Sequence, residues 1–381
     1  MFINTPPGSK IFTSNKQFDF QRGGSLPGIE LAYETFGQAN SDCSNIVLLF
    51  TGLSPTAHVT ASTLDPAPGW WEPVVGIGRP IDTNHWKVIC VNSLGSCKGS
   101  TGPASINPAT DKPWRLDFPE LTIEDIASSA NLLLEHLGID KVAVVIGPSM
   151  GGMSALAWLK QNPGRAQHLL AISTAAAAEP YAIAIRSMQR EIICEDPHWQ
   201  NGEYTEAAWP QNGMRLARKI GMVSYRSADE WRERFGRDNQ VRYPATAWGM
   251  NYAVESYLQA SAERFIGQFD PASYIGLSRA MDWFDISGDA SKLCHSAAIP
   301  DTKKVATALA ATGLQSACVI GVKSDLLFPL HQQKQLADAL QICGARVEFH
   351  QPASLQGHDS FLVDFDNFNP IIDQYFRALD C

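Results

Sequence analysis

The stretch Gly147-Pro148-Ser149-Met150-Gly151-Gly152 constrains this chain more than any other. It follows an apolar, β-branched run at 142–146 and precedes a helical pattern that starts at Met150 and reaches about Leu159. A serine flanked by glycines between a strand and a helix has the G-x-S-x-G form of a nucleophile elbow. The turn is tight enough to require small neighbours, and it pushes the serine Oγ out at the top of a sheet. The serine also opens a helix, whose free N–H groups favour developing negative charge. A glycine-rich turn with an idle serine would share the composition; the strand before and the helix after favour the elbow.

The surrounding pattern fits a sheet that can hold such a turn. Short β-branched runs at 45–50, 86–91, 142–146, 168–173, 317–322 and 346–350 alternate with helical stretches, which predicts a mainly parallel sheet covered on both faces. The run at 29–35 reads as an antiparallel edge strand. Residues 122–137 carry a helical period through Ile123, Ile126, Leu132, Leu133 and Leu137. Between about 175 and 312 the alternation stops. Helical patterns at 182–193 and 213–220 dominate there, and Trp199, Trp209, Trp231, Trp248 and Trp283 supply bulk. An insertion of that length is too long for a loop. It predicts a helical cap over residues 176–313, on a core made of 1–175 and 314–381.

An elbow serine needs a base, and the base an orienting acid. In an α/β-hydrolase fold these follow in the order Ser, Asp or Glu, His. Asp325 comes directly after the 317–322 run, and His358 after the 346–350 run, so both reach the edge of the sheet that holds Ser149. His58 is the rival base, but it precedes the serine. Asp359 and Asp364 follow no strand in the required way. The oxyanion of a tetrahedral intermediate needs two backbone donors. The N–H of Met150 supplies one, and the loop Gly52-Leu53-Ser54-Pro55 supplies the other, with Leu53 favoured.

Composition excludes some functions. Of 381 residues, 45% are apolar and 18% charged, as in an ordinary globular protein, and the net charge of -9 would repel nucleic acid and anionic membranes. No window is long and apolar enough to span a bilayer. The first eight residues have neither a basic nor an apolar segment of the secretory kind. Eight cysteines without a C-x-x-C pair indicate neither a disulfide framework nor a metal centre, and Cys90 and Cys318 sit in apolar runs as small core residues. A cytoplasmic protein with no metal and no bound cofactor is expected.

Several blocks resemble the homoserine O-acetyltransferase family over nearly the whole chain. They are the elbow through Met153, Gly213-Met214-Arg215-Leu216-Ala217-Arg218, Ser224-Tyr225-Arg226-Ser227 and Gly357-His358-Asp359. The blocks at 51–55, 90–97, 99–105 and 281–285 resemble a branch of that family that succinylates serine. The resemblance implies a ping-pong reaction in which Ser149 takes an acyl group from succinyl-CoA and passes it to L-serine. It also implies that Arg218 pairs with the amino-acid carboxylate and Asp359 with the amino group, and that the protein is a homodimer joined through the cap. Arg186 is the candidate for acyl-CoA specificity, because it interrupts an apolar helix and a succinyl group has a carboxylate that acetyl lacks. Residues 52–55 border the acceptor and are candidates for its selection. Homoserine as acceptor and acetyl-CoA as donor are the alternatives, and an ester or thioester hydrolase uses the same triad.

Overall fold

The computed structural model describes residues 4–238, 252–292 and 298–379. Its main sheet has eight strands: β1 (Lys10–Ser14), β2 (Ile29–Phe36), β3 (Ile46–Phe50), β4 (Lys87–Val91), β5 (Val142–Pro148), β6 (Ala166–Ile172), β7 (Ser316–Ile320) and β8 (Arg346–His350). They lie in the order β1-β2-β4-β3-β5-β6-β7-β8. From β4 to β8 every pairing is parallel, whereas β2 is antiparallel to both β1 and β4. This is the doubly covered α/β arrangement expected from the alternating pattern.

One expectation is corrected. The 29–35 run is antiparallel, but it is not the edge, because β1 pairs along it from Lys10↔Tyr33 to Ser14↔Ile29. Strand β1 buries only Phe12, so it lacks the alternation that marks a half-buried strand.

Both faces of the sheet are covered, which explains why β3 and β5 are buried at every position. Because side chains alternate, Leu48 and Val145 enter one core with Trp158, Leu133 and Leu336, whereas Val47, Leu49 and Ile146 enter another with Trp71, Phe368 and Tyr375. On the first face lie α1 (Ile123–His136) and α2 (Met150–Gln161). Helix α1 begins at a reciprocal cap. The Thr122 hydroxyl accepts from the Asp125 N–H at 3.2 Å, and the Asp125 carboxylate accepts from the Thr122 N–H at 2.8 Å.

Among its described residues the insertion holds helices and no strand, with an isolated bridge between Ala177 and Asp285. It contains α3 (Pro180–Cys194), α4 (Gln211–Tyr225), α5 (Ala228–Phe235), α6 (Ala253–Phe265), α7 (Pro271–Trp283) and α8 (Thr302–Leu309). Helices α3 and α4 pack on each other, α6 packs on α4, and α7 on α3. Helix α8 instead packs against α2 and against α9 (Leu330–Ile342). Trp199 and Trp209 are buried, Trp231 and Trp283 half-buried; Trp248 lies outside the described residues. The six cysteines described are free, and Cys90 and Cys318 are fully buried in the sheet.

Replacing Thr122 by alanine removes the cap and leaves a buried N–H unpaired. The expected loss is about 1–2 kcal/mol of stability. It should be read as a lower urea midpoint at unchanged slope; an unmoved midpoint would show that the cap contributes nothing.

Candidate active site

Ser149 sits between the end of β5 and the start of α2 with φ 56° and ψ −126°, a conformation that side chains other than glycine rarely adopt. The turn closes because backbone replaces side chain. A Cβ on Gly147 would stand 2.2 Å from the Gly151 carbonyl oxygen, and one on Gly151 would stand 2.3 Å from the Phe50 carbonyl oxygen. The Ser149 N–H donates to the Ile172 carbonyl at 2.9 Å, and the Thr174 hydroxyl donates to the Ser149 carbonyl at 2.8 Å. Pro148 is also accommodated. The pairing of β5 with β3 ends at Ile146, so the missing N–H costs no bond to that strand.

The three residues expected to work together do meet. His358 Nε2 is 2.8 Å from Ser149 Oγ, and His358 Nδ1 is 2.8 Å from Asp325 Oδ2. The other oxygen of Asp325 accepts from the N–H groups of Leu327 at 2.9 Å and Phe328 at 3.0 Å. The carboxylate is thus held by donors on both sides. That fixes the proton of a neutral imidazole on Nδ1 and turns the Nε2 lone pair toward the serine. Burial favours the neutral imidazole and lowers its pKa. The charge and hydrogen bond of Asp325, with Asp359 adding to them, outweigh this and raise the pKa above the ordinary 6.5. The rival His58 faces elsewhere: it contacts Glu34 at 3.0 Å and the Ala67 carbonyl at 2.8 Å.

The triad opens into a cavity of about 150 Å³ between the sheet edge and the cap. Residues Gly52, Leu53, Ser54 and Pro55 form one wall, as expected of the loop after β3. Trp70 backs that loop by donating from Nε1 to the Thr56 carbonyl at 3.0 Å. Leu53 borders the cavity beside Ser149, and Met150 is the first residue of α2, where helix N–H groups lack intrahelical partners. Leu53 and Ser149 thus line one cavity, and Met150 follows Ser149 directly in the chain.

The opposite wall is cap. Arg186 on α3 and Arg218 on α4 both line the cavity, as does Asp359 beside His358. Arg218 makes no ion pair among the described residues; its guanidinium lies 4.6 Å from the centre of the Phe265 ring, and its Nε is buried without a partner. Arg186 is buried. Its Nε donates to Asp282 at 2.5 Å, whereas its Nη2 has no partner. Burial raises the pKa of the Asp359 carboxyl, opposed by Arg226, His358 and Arg218. Arg226 Nε holds that carboxylate at 3.1 Å. The sequence contained Arg226 and Asp282 only as members of resembling blocks. Asp282 follows Met281 on a helix whose buried residues include no charged side chain. The described residues contain no group of three His, Cys, Asp or Glu side chains placed to hold a metal ion. No helix among them is long and apolar enough to cross a membrane.

Comparison with known proteins bears on the fold and the family. Residues 45–364 match the family model of the alpha/beta hydrolase fold. A serine O-succinyltransferase of Stenotrophomonas maltophilia is 50% identical over 379 residues, covering 98% of this chain and 99% of that one. The chain belongs to the α/β-hydrolase fold family, in its serine O-succinyltransferase group. Among solved structures, homoserine O-acetyltransferase from Bacillus anthracis matches with a TM-score of 0.86 at 26% identity, covering 97% of each chain. Esterase E22 matches with a TM-score of 0.83 at 25% identity, covering 96% of this chain and 99% of that one.

The raised pKa of His358 predicts the acid side of the activity profile. The base must be neutral, so the rate at which an activated ester acylates Ser149 should fall as pH drops through that pKa, with its midpoint above 6.5. Asp325→Asn should move the midpoint to lower pH and cut the plateau by about 10³–10⁴-fold. A wild-type midpoint at or below the ordinary imidazole value would contradict the coupling between His358 and Asp325.

Proposed function

We propose that this protein transfers a succinyl group from succinyl-CoA to the hydroxyl of L-serine, through a succinyl ester on Ser149. Ser149 Oγ attacks the thioester carbonyl while its proton passes to His358 Nε2. The oxyanion is held by the N–H groups of Leu53 and Met150 until the C–S bond breaks, and His358 returns the proton to the departing thiolate. L-Serine then enters, gives its hydroxyl proton to His358 and takes the acyl group. The Ser149 Cβ–Oγ bond is untouched; the acyl C–O bond breaks, and Oγ recovers its proton.

The observation that carries this reading is a pair of guanidinium groups, Arg186 and Arg218, each with a buried N–H that lacks a partner, in the cavity that holds the triad. A buried unpaired donor is costly, so both sites favour an anionic ligand. Succinyl-CoA and L-serine each bring one carboxylate. Arg218 and Asp359 suit the two ends of the amino acid, Arg186 suits the acyl carboxylate, and the 52–55 loop sets the room for the acceptor. No bound cofactor enters the scheme; the acyl-CoA is a co-substrate. The product, O-succinyl-L-serine, has a better leaving group than serine, which suits displacement by sulfide toward cysteine in the cytoplasm.

The same reading includes a homodimer joined through the cap. Tyr181 and Met188 on α3, with Leu216 and Val223 on α4, are 41–52% exposed, so large apolar side chains lie on the outer cap. A second reading, hydrolysis, draws support from the likeness to esterase E22 and differs only in letting water reach the acyl-enzyme.

A thiol-release assay crossing L-serine or homoserine with succinyl- or acetyl-CoA separates these readings. Fast release is expected only with L-serine and succinyl-CoA. Release that ignores the acceptor would make the protein a hydrolase, and homoserine in the lead would reassign the acceptor. In single-turnover experiments Arg218→Ala should slow transfer from the acyl-enzyme to L-serine by about tenfold or more. Acylation should be spared; equal loss in both half-reactions would remove Arg218 from the acceptor site.

A further inference from the structure

Arg186 does not face the cavity alone. Its Nε binds one oxygen of Asp282 on α7 at 2.5 Å, and the other oxygen of Asp282 lies 2.7 Å from Nη1 of Arg190. Arg190 is one turn further along α3, four residues beyond Arg186; its contact with Asp282 is an ion pair, and its Nη1 donates to the Ser278 hydroxyl at 3.1 Å. Two arginines at this spacing repel each other on a helix. The carboxylate between them removes that repulsion, but it balances only one of the two charges. The Arg186–Asp282–Arg190 cluster keeps a net charge of +1 where its side chains are at least four-fifths buried, and the one N–H group of it that is buried without a partner, Nη2, belongs to the arginine that lines the cavity.

We propose that Arg190, acting through Asp282, is a specificity-determining residue for the acyl chain. Without it, Arg186 and Asp282 form a neutral pair, and a neutral pair attracts a ligand carboxylate weakly. With it, Asp282 is shared, and Arg186 holds uncompensated charge toward the acyl group. Asp282 also fixes the guanidinium plane, so Nη2 keeps one direction. The ligand that completes the cluster is an acyl chain ending in a carboxylate. The inference rests on the reading of the site as an acyltransferase for succinyl-CoA, and it assigns to a residue outside the cavity wall the charge which that reading requires.

Succinyl-CoA and butyryl-CoA provide the test, because both carry four-carbon acyl groups and differ in a terminal carboxylate against a methyl. The kcat/KM ratio of the two donors, with L-serine as acceptor, should fall about tenfold in Arg190→Met. Arg190→Lys keeps the charge and should keep most of the ratio, and Arg186→Ala should abolish the preference. An unchanged ratio in Arg190→Met would overturn the proposal, as would an equal fall in Arg190→Lys. A wild-type protein that uses butyryl-CoA as well as succinyl-CoA would instead sink the succinyl reading itself, before any variant is compared.

Discussion

Everything at this site depends on the close backbone contact between the start of α2 and the ends of β3 and β5. Ser149 holds a backbone conformation that costs on the order of 1–3 kcal/mol, and such strain persists only where the surroundings over-determine it. Here they do. Hydrogen bonds tie the Ser149 peptide groups to Ile172 and Thr174, at the end of β6 and just beyond it, and to Gly152 in α2, while Gly151 leaves room for the Phe50 carbonyl of β3. Neighbours on both sides of β5 thus aim the nucleophile. The same contact brings the loop after β3 to the cavity of Ser149, so the 52–55 wall follows from the turn.

Charge around the nucleophile is arranged in two different ways. On the core side, Asp325 has donors on both oxygens and His358 is set between Asp325 and Ser149, so the triad is paired within itself before substrate arrives. On the cap side, Arg186 and Arg218 keep buried N–H atoms with no partner. The first arrangement suits groups that must not move during proton transfer. The second suits groups whose partners are ligands. Gly357 joins the two: at φ 63° it brings the His358 loop against the end of α4, where a Cβ would stand 2.6 Å from the Tyr225 carbonyl oxygen.

These differences explain what could be read from the amino-acid order. The elbow was legible because glycines, serine, strand and helix are contiguous, and the acid and base because each follows its own strand. The helical character of the cap followed from periodicity. Strand β1 was not legible, since one buried phenylalanine in five residues is no pattern. Nor were the ion pairs that tune the site. Asp282 lies 96 residues from Arg186, and Asp359 lies 133 from Arg226, and local sequence contains nothing that specifies such partners. Arg186 was noticed as a charge in an apolar helix, but that observation could not tell a cavity from a partner. The structure gives it both.

The division between core and cap also bears on how one triad serves transfer or hydrolysis. Nothing in Ser149, His358 or Asp325 distinguishes water from an amino-acid hydroxyl, because both attack the same acyl carbon with help from the same base. Selection must therefore come from what occupies the space above the ester. In this molecule that space is bounded by guanidinium groups from α3 and α4, and an occupant that pairs with them also fills the volume water would need. The cap reaches the loop of His358 through the Gly357 contact, the Arg226–Asp359 ion pair and the bond from the Ser227 hydroxyl to the Leu355 carbonyl. Residues farther along α3 and α7 can then alter which acyl chain is accepted without disturbing the strained turn that makes the ester.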